Sequence, residues 1–157
     1  MIITGIDPGY RRIGFGVIEK AHGRTRLLEA NILHIPSRVH ADALLDIKAH
    51  LGAIFEKWKP HAIGIEKIYF SKNQKTGVQV AEARGVILAT ARACTSAIHE
   101  FTPSEVKLGI TGYGGADKQA VLKMVRLIIK EPELRVIDDV SDAIALAIIT
   151  AERVRVS

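Results

Sequence analysis

The chain has 157 residues, 48% of them hydrophobic, which is enough to bury the core of one compact domain. Its formal net charge of +5 favours a polyanionic partner, whereas the 5% aromatic content argues against a surface that stacks many bases. No apolar run is long enough to span a bilayer, no signal-peptide pattern precedes the first strand, and the six histidines lack zinc-site spacing. We therefore expect a single cytoplasmic domain over residues 1–157, with its one cysteine, Cys94, buried.

The chain opens with an apolar strand over residues 2–6 that ends in Asp7 and is followed by a Pro8-Gly9 turn and a returning second strand. A third strand is predicted over residues 25–35, and the short turns between the three strands predict an antiparallel meander. Asp7 then lies where a core strand meets the surface. An ionised carboxylate is costly there unless it is paired, hydrogen-bonded or bound to a cation, so Asp7 is a candidate site residue.

A second strand with an acid at its end follows the first helix. The helical period over residues 41–58 gives way to a short apolar run, residues 62–66, which ends in Glu66. A strand reached through a helix normally lies parallel to its neighbour in the sheet. If it lies beside the first strand, Glu66 and Asp7 emerge at the same edge of the sheet.

The helix predicted over residues 76–94 is small or apolar around most of its circumference, so we expect it to be buried on more than one side, within the domain or in an interface. A short fifth strand is predicted over residues 97–101. A capping box at Thr102 then opens a short helix that ends at Leu108, and a glycine-rich stretch covers residues 109–115.

Two more helices complete the chain, one beginning at Asp117 and ended by Pro132, and one after the acidic segment at residues 138–142 that has Ile144, Ala147, Ile148 and Ala151 on one face. The elements together predict an α/β fold of the ribonuclease-H-like type. Its five-stranded mixed sheet combines an antiparallel meander with parallel strands, and helices lie on both faces.

Asp139 and Asp142 share a helical face at the start of the last helix. Helix capping by aspartate is a sufficient explanation for them alone. Gathered with Asp7 and Glu66, however, they form a negative cluster that is unfavourable unless divalent cations bind it, since no cationic partner is evident from the sequence. Hard oxygen ligands without Cys or His favour Mg²⁺ or Mn²⁺, and two ions about 3.5–4 Å apart stabilise the attacking and leaving oxygens of a phosphodiester displacement.

Basic residues outside this cluster are candidates for contact with DNA. The glycine-rich stretch lacks the P-loop order, but its backbone N–H groups can bind a phosphate. Lysines are usually solvated surface residues, yet five cations together form a candidate basic rim for DNA phosphates. They are Lys72, Lys75, Arg84, Lys107 and Lys118. One of the adjacent Tyr69 and Phe70 can wedge against unstacked bases, unless both pack beneath their loop.

In order and spacing, these pieces resemble the RuvC family of Holliday junction resolvases over nearly the whole chain. The resemblance rests on six motifs: Gly5-Ile6-Asp7-Pro8-Gly9; Ile65-Glu66 with Tyr69, Phe70 and Asn73; Ala83-Arg84-Gly85; Thr102-Pro103-Ser104-Glu105-Val106-Lys107; Thr111-Gly112 through Ala116-Asp117-Lys118; and Asp139-x-x-Asp142-Ala143. It implies a crossover junction endodeoxyribonuclease that acts in homologous recombination and DNA repair. It also implies symmetric, Mg²⁺-dependent hydrolysis of four-way DNA junctions that leaves 5′-phosphate and 3′-hydroxyl ends.

The resemblance also implies roles for individual residues. The catalytic and metal-binding acids are Asp7, Glu66, Asp139 and Asp142. Lys107 and Lys118 act near the scissile phosphate. The DNA-binding residues are Tyr69, which stands where the family usually has Phe, with Phe70, Lys72, Asn73, Lys75 and Arg84. Asp138 leaves open which of two adjacent acids binds metal, and the three-residue spacing to Asp142 favours Asp139.

Cofactors and partners follow from the same resemblance. Two Mg²⁺ ions per active site are expected during catalysis, with Mn²⁺ able to substitute. The expected partners are a four-way junction, a second copy of the chain bound through helix 76–94, and a branch-migration motor complex of the RuvA–RuvB type.

Three other functions remain open from the residues. An actin-like or sugar-kinase ATPase half also starts with a strand, an Asp and a glycine-bearing turn, but those enzymes need two domains around a cleft. A related nuclease acting on RNA or on other recombination intermediates would have the same fold. A DNA-binding module without catalysis would bind better without negative charge near the phosphates, so the full set of acids argues against it.

Overall fold

The computed structural model describes residues 1–68, 74–95 and 97–154. Its elements are β1 (Ile2–Asp7), β2 (Arg12–Ala21), β3 (Arg24–His34), α1 (His40–Trp58), β4 (Ala62–Glu66), α2 (Gln74–Cys94), β5 (Ile98–Phe101), α3 (Pro103–Thr111), α4 (Lys118–Ile129) and α5 (Asp138–Arg153). Within the described ranges, none of the helices has the length and apolar character needed to cross a membrane.

The five strands form one mixed sheet in the order β3-β2-β1-β4-β5. β1, β2 and β3 are joined as an antiparallel meander, with a tight turn at His22 and Gly23, both of which have positive φ. β4 pairs in parallel with β1 and with β5, as expected for strands reached through helices. The predicted mixed sheet is confirmed, and β1, which carries Asp7, lies at its centre.

Helices cover both faces of this sheet, as predicted. α1 and α2 pack on one face together with Ile6, Ile63 and Ile65, whereas α3, α4 and α5 pack on the other face together with Ile3 and Ala62. Because successive side chains of a strand point to opposite faces, the last residue of β1 and the last residue of β4 both belong to the α5 face.

α5 is enclosed on nearly all sides rather than on the single face that its periodicity predicts. All nine residues from 143 to 151 are buried, because the sheet lies on one side of the helix and α3 and α4 lie on the other. Four of the nine are alanines, which let neighbouring elements approach closely. The four residues predicted to share one face are all buried, and the structure adds that the other sides of this part of the helix are buried as well.

Two predictions are wrong in detail. α3 runs on to Thr111 and ends at Gly112, which has φ 78, so the first part of the glycine-rich stretch is helical. Gly109 lies in this helix where it approaches α5, and a Cβ there would be only 2.9 Å from Cγ2 of Ile149. Cys94 is exposed, because Ala91 is the last buried residue of α2 and the helix continues beyond the core.

In the single chain, the described side chains of α2 are buried along one face and exposed on the opposite face. Ala83, Ile87 and Ala91 are buried, whereas Val78 is 63% exposed and Ala89 is also exposed. The expectation that this helix is buried on further sides within the domain is wrong, and burial in an interface stays a prediction.

Candidate active site

Asp7 and Glu66 lie side by side at one edge of the sheet. Ile6 of β1 is paired with Ile65 of β4, so the next residue of each strand is an acid. Both acids follow a glycine by two residues, Gly5 in β1 and Gly64 in β4, and those glycines lie against α5. Side-chain alternation therefore directs both carboxylates to the α5 face. The structure brings together the two strand-end acids that the sequence singles out.

A row of glycines lets α5 lie directly on the sheet. Gly5 is opposite Gly16 of β2 on one side and opposite Gly64 of β4 on the other, so three neighbouring strands present no side chain there. A Cβ on Gly5 would lie 2.0 Å from the backbone oxygen of Ala143, and one on Gly64 would lie 2.0 Å from Oγ1 of Thr150. Helix and sheet thus touch backbone to backbone, and this contact fixes where the first turn of α5 lies.

The first turn of α5 carries Asp138, Asp139 and, one turn on, Asp142. The residue that precedes the helix is Ile137, and no side chain caps the helix by a hydrogen bond. Helix capping by aspartate, which the sequence alone allowed, is therefore not what these residues do. Gly14, which is paired with Asp7, lies against the backbone of Asp139, so this acidic turn stands beside the end of β1.

The acids of this site act on one another electrostatically. Burial raises the pKa of Asp7 to about 8, and the negative charges of Glu66, Asp142 and Asp139 add to the effect. Burial, followed by the charge of Asp142, raises the pKa of Glu66 to about 7. Burial is also the main cause that raises the pKa of Asp142. Mutual repulsion among half-buried carboxylates is the pattern expected where several of them share one site.

Two cations pair with this cluster, although none was evident from the sequence. Nη2 of Arg12 lies 3.2 Å from Oδ2 of Asp139, and Nζ of Lys118 lies 2.8 Å from Oδ2 of Asp138. Both pairs are well exposed, so each adds no more than about 0–1 kcal/mol to stability. Sequence reasoning missed Arg12. The signal was its position in β2, two residues before Gly14 and four before Gly16, on the face that meets α5.

The two predicted lysines reach the same cavity as two of the acids. This cavity of about 190 Å³ is lined by Glu66, Pro103, Val106, Lys107, Lys118, Val121 and Asp142. Lys118 is the first residue of α4, which Asp117 caps by accepting a hydrogen bond from the Ala120 N–H at 2.7 Å. The hydrogen bond to Asp138 is the main cause that raises the pKa of Lys118, so this lysine carries a positive charge at neutral pH.

The donor atoms at this edge suit a hard divalent cation, because they are carboxylate oxygens without thiols or imidazoles. Across residues 1–68, 74–95 and 97–154, no three His, Cys, Asp or Glu side chains come close enough together to hold one ion as they stand. Burial and, after it, the charges of neighbouring acids raise the pKa values of Asp7 and Glu66, and the repulsion between these charges also favours separation of the carboxylates. The chemistry of the donors therefore fits a cation, provided that side chains turn toward it.

Comparison with known proteins identifies the family. A family model described as crossover junction endodeoxyribonuclease RuvC matches residues 3–150. The chain belongs to the RuvC family. The crossover junction endodeoxyribonuclease RuvC of Petrotoga mobilis is 39% identical over 153 residues, which cover 94% of this chain and 91% of that relative. The corresponding protein of Halothermothrix orenii is 37% identical over 149 residues, covering 94% and 90% of the two chains.

A solved RuvC structure has the same fold. Thermus thermophilus RuvC in complex with Holliday junction substrate matches with a TM-score of 0.86 and 28% sequence identity, over 96% of this chain and 92% of that chain. The fold class predicted from the sequence, with its ribonuclease-H-like sheet and helices on both faces, is confirmed by this likeness and by the strand order.

Most of the residues expected to bind DNA in this RuvC-family chain are not described by the structure. Tyr69, Phe70, Lys72 and Asn73 lie outside the described residues, and so does the side chain of Lys75. Arg84 is described, and its side chain is only 19% exposed. Its guanidinium contacts the Glu66 backbone oxygen and the Glu100 carboxylate rather than lying along an open rim.

Proposed function

We propose that this protein is an endonuclease that resolves four-way DNA junctions by metal-dependent hydrolysis, as one nuclease domain over residues 1–157. The observation that carries the proposal is the meeting of Asp7, Glu66 and the first turn of α5 at one sheet edge, in a chain of the RuvC family. The solved complex of Thermus thermophilus RuvC with Holliday junction substrate supports the choice of substrate. Homologous recombination and DNA repair in the cytoplasm are the proposed setting.

Asp7, Glu66, Asp139 and Asp142 would hold the divalent ions, which we propose to be Mg²⁺, with Mn²⁺ able to substitute. When bound, such ions activate a water molecule and stabilise the attacking and leaving oxygens of the scissile phosphate. The raised pKa values of Asp7 and Glu66 mean that these carboxyls hold protons near neutral pH, and cation binding would displace those protons. Asp7 and Glu66 lie at the ends of paired strands, so their carboxylates can bind a cation without movement of the backbone.

Lys107 and Lys118 have the position to offset the negative charge of the phosphate. Both line the cavity that also contains Glu66 and Asp142. A cation held beside a reacting phosphate stabilises the charge that develops in the transition state. Lys118 is the stronger candidate, because its side chain is 64% exposed and its bond to Asp138 directs it toward the acidic turn.

A homodimer would give two sites related by a two-fold axis, which suits paired cuts in a four-way junction. The exposed face of α2 supports this arrangement. Val78 and Ala89 are exposed on it, and a Cβ added to Gly85 would meet nothing within 4 Å. Small residues along one helix allow a second helix to approach closely. A branch-migration motor complex is proposed as a further partner on the ground of family membership alone.

The test is a synthetic four-way junction incubated with the protein and Mg²⁺, beside a duplex and an RNA–DNA hybrid of matching sequence. We expect paired nicks in the junction only, with ends that ligase can seal. Asp7→Asn should abolish the nicks while binding is kept or strengthened, because it removes one negative charge near the phosphates. Equal cleavage of the duplex or of the hybrid would overturn the proposed substrate.

A further inference from the structure

Arg84 lies beneath the strand end that carries Glu66, on the sheet face opposite to α5. Its Nε donates a hydrogen bond to the backbone oxygen of Glu66 at 3.3 Å. Its Nη2 forms an ion pair with the carboxylate of Glu100. Glu100 belongs to β5, where it is paired with Ile65 of β4. One guanidinium from α2 therefore bridges the last two strands next to the candidate active site.

These contacts leave Arg84 poorly suited to bind a phosphate. Its side chain is only 19% exposed, and its charge is already balanced by Glu100. Binding DNA through Arg84 would require this half-buried pair to separate, which leaves an uncompensated carboxylate behind. The planar guanidinium instead suits two acceptors at fixed angles, one of them the peptide unit of Glu66.

We infer that Arg84 and Glu100 form a positioning pair that fixes the Glu66 peptide, and through it the direction of the Glu66 carboxylate, rather than a contact to DNA. The inference rests on the proposed role of Glu66 in the active site. A second bond holds the same strand end: the N–H of Lys67 donates to the Phe101 oxygen at 2.7 Å. Arg84 holds the same strand end from the sheet face opposite to α5, where it does not obstruct the substrate.

The expected effect is on the cleavage rate and on the affinity for metal, rather than on the affinity for the junction. Loss of an outer partner that orients a metal ligand typically costs about 10- to 100-fold in metal affinity or activity. A displacement of about 1 Å at a reacting centre can itself cost about 100-fold. Removal of one DNA phosphate contact would instead weaken binding and lower its salt dependence.

Neutralising Glu100 distinguishes a DNA contact by Arg84 from a positioning role, because the two roles predict opposite effects. If Arg84 contacts DNA, Glu100→Gln frees the guanidinium and strengthens junction binding. If the two residues position Glu66, Glu100→Gln slows cleavage in the same way as Arg84→Gln. Arg84→Lys adds a second distinction, since it keeps the positive charge but cannot bridge two acceptors with the same geometry.

The experiment compares Arg84→Gln, Arg84→Lys, Glu100→Gln and the double variant R84Q/E100Q with the wild-type protein. Single-turnover cleavage at saturating four-way junction is measured in Mg²⁺, and junction Kd is measured in Ca²⁺ at several salt concentrations. Mn²⁺ binding to the protein without DNA is followed by calorimetry, and folding is followed by thermal melting. Arg24→Gln, at an exposed position at the start of β3, controls for the loss of one positive charge.

Each single variant should cleave about 10- to 100-fold more slowly and bind Mn²⁺ more weakly, with junction Kd within about twofold of wild type. The double variant should be no slower than either single variant, because the two residues act as one unit. If Arg84→Gln fails to fold, Arg84→Lys and Glu100→Gln decide the matter. Arg24→Gln should cleave at the wild-type rate.

The inference is overturned if Arg84→Gln raises junction Kd about tenfold or more while Glu100→Gln cleaves as fast as wild type. Failure of the proposed function would look different, because the wild-type protein itself would leave four-way junctions uncut. In that event the Mn²⁺ measurement still tests the positioning pair. Unchanged Mn²⁺ affinity in both Arg84→Gln and Glu100→Gln would refute the inference.

Discussion

A Cβ placed on Gly14 would lie 2.2 Å from the backbone oxygen of Asp139, so β2 and α5 touch backbone to backbone beside the end of β1. Gly14 is paired with Asp7 in the sheet. The separation between Asp7 and the acidic turn of α5 is therefore set by main-chain contact rather than by the packing of flexible side chains. Such rigidity is what a constellation of ligands requires, since small displacements are costly in rate.

Gly14→Ala should consequently reduce junction cleavage by about 100-fold or more, because the added methyl forces α5 away from the sheet by roughly 1 Å. It should also lower Tm. Gly52→Ala is the matched control, since a Cβ there meets nothing within 4 Å and the residue lies inside α1. That control should cleave normally and be stabilised by about 0.5–1 kcal/mol. Wild-type cleavage by Gly14→Ala would show that the contact does not set the site.

The raised pKa values predict an unusual dependence of stability on pH in the presence of EDTA. The pKa of Asp7 is about 8 in the folded protein, against 3.8 for an ordinary aspartate. Between those values Asp7 binds more protons in the folded state than in the unfolded state, so its contribution to the free energy of unfolding falls as pH rises from about 4 to about 8. Glu66, with a pKa of about 7, acts in the same direction.

Asp7→Asn removes the larger of these two effects. At pH 8 the variant should therefore melt well above the wild-type protein, by several degrees or more, given that about 1 kcal/mol corresponds to roughly 2–4 °C for a chain of this size. At pH 4 the two should melt together. Thermal melts at both pH values test this, with Glu56→Gln as a control for the loss of an exposed carboxylate. A difference in Tm between Asp7→Asn and the wild-type protein that does not grow from pH 4 to pH 8 would contradict the prediction.

The sequence predicts the strand ends well because alternation and parallel pairing are local and regular. Asp7 and Glu66 each end a short apolar run, and a helical crossover between the runs is enough to make them neighbours. The closeness of α5 to the sheet was harder to foresee. It depends on Gly5, Gly16 and Gly64 coming into one row, and that register joins strands far apart in the chain.

Side-chain partners are the part that the sequence does not determine. Arg12 meets Asp139, and Arg84 meets Glu100, only because of how β2, α5, α2 and β5 are arranged in space. The sequence shows only that each arginine is a positive charge in a basic protein. For that reason Arg84 is predicted from the sequence to bind DNA. Its low exposure and its bond to the Glu66 backbone come from tertiary packing alone.

The adjacent residues Asp138 and Asp139 provide a matched test of which acid belongs to the site. The side chain of Asp138 is 62% exposed and bonded to Lys118, whereas Asp139 contributes to the raised pKa of Asp7. Asp139→Asn should therefore lower junction cleavage in Mg²⁺ by several orders of magnitude. Asp138→Asn should keep the rate within about tenfold, since the Asp138 side chain is exposed and is bonded to Lys118, which keeps its positive charge without that bond. Equal losses at saturating junction would assign a metal to both residues.

The exposed face of α2 predicts that a charge placed on it separates the two subunits. Ala89 is exposed there and is small, so Ala89→Glu should leave the monomer folded while it prevents close approach of a second helix with the same charge. Sedimentation at micromolar concentration should then change from dimer to monomer. Cleavage should change from paired nicks to single nicks, because each subunit supplies one active site.

Leu127→Glu is the control for this prediction, since Leu127 is 61% exposed but lies on α4 rather than on α2. It should sediment as a dimer and cut both strands. A wild-type protein that sediments as a monomer at micromolar concentration, with paired cleavage intact, would count against the dimer itself. If Ala89→Glu remains a dimer, the subunits meet through a surface other than the exposed face of α2.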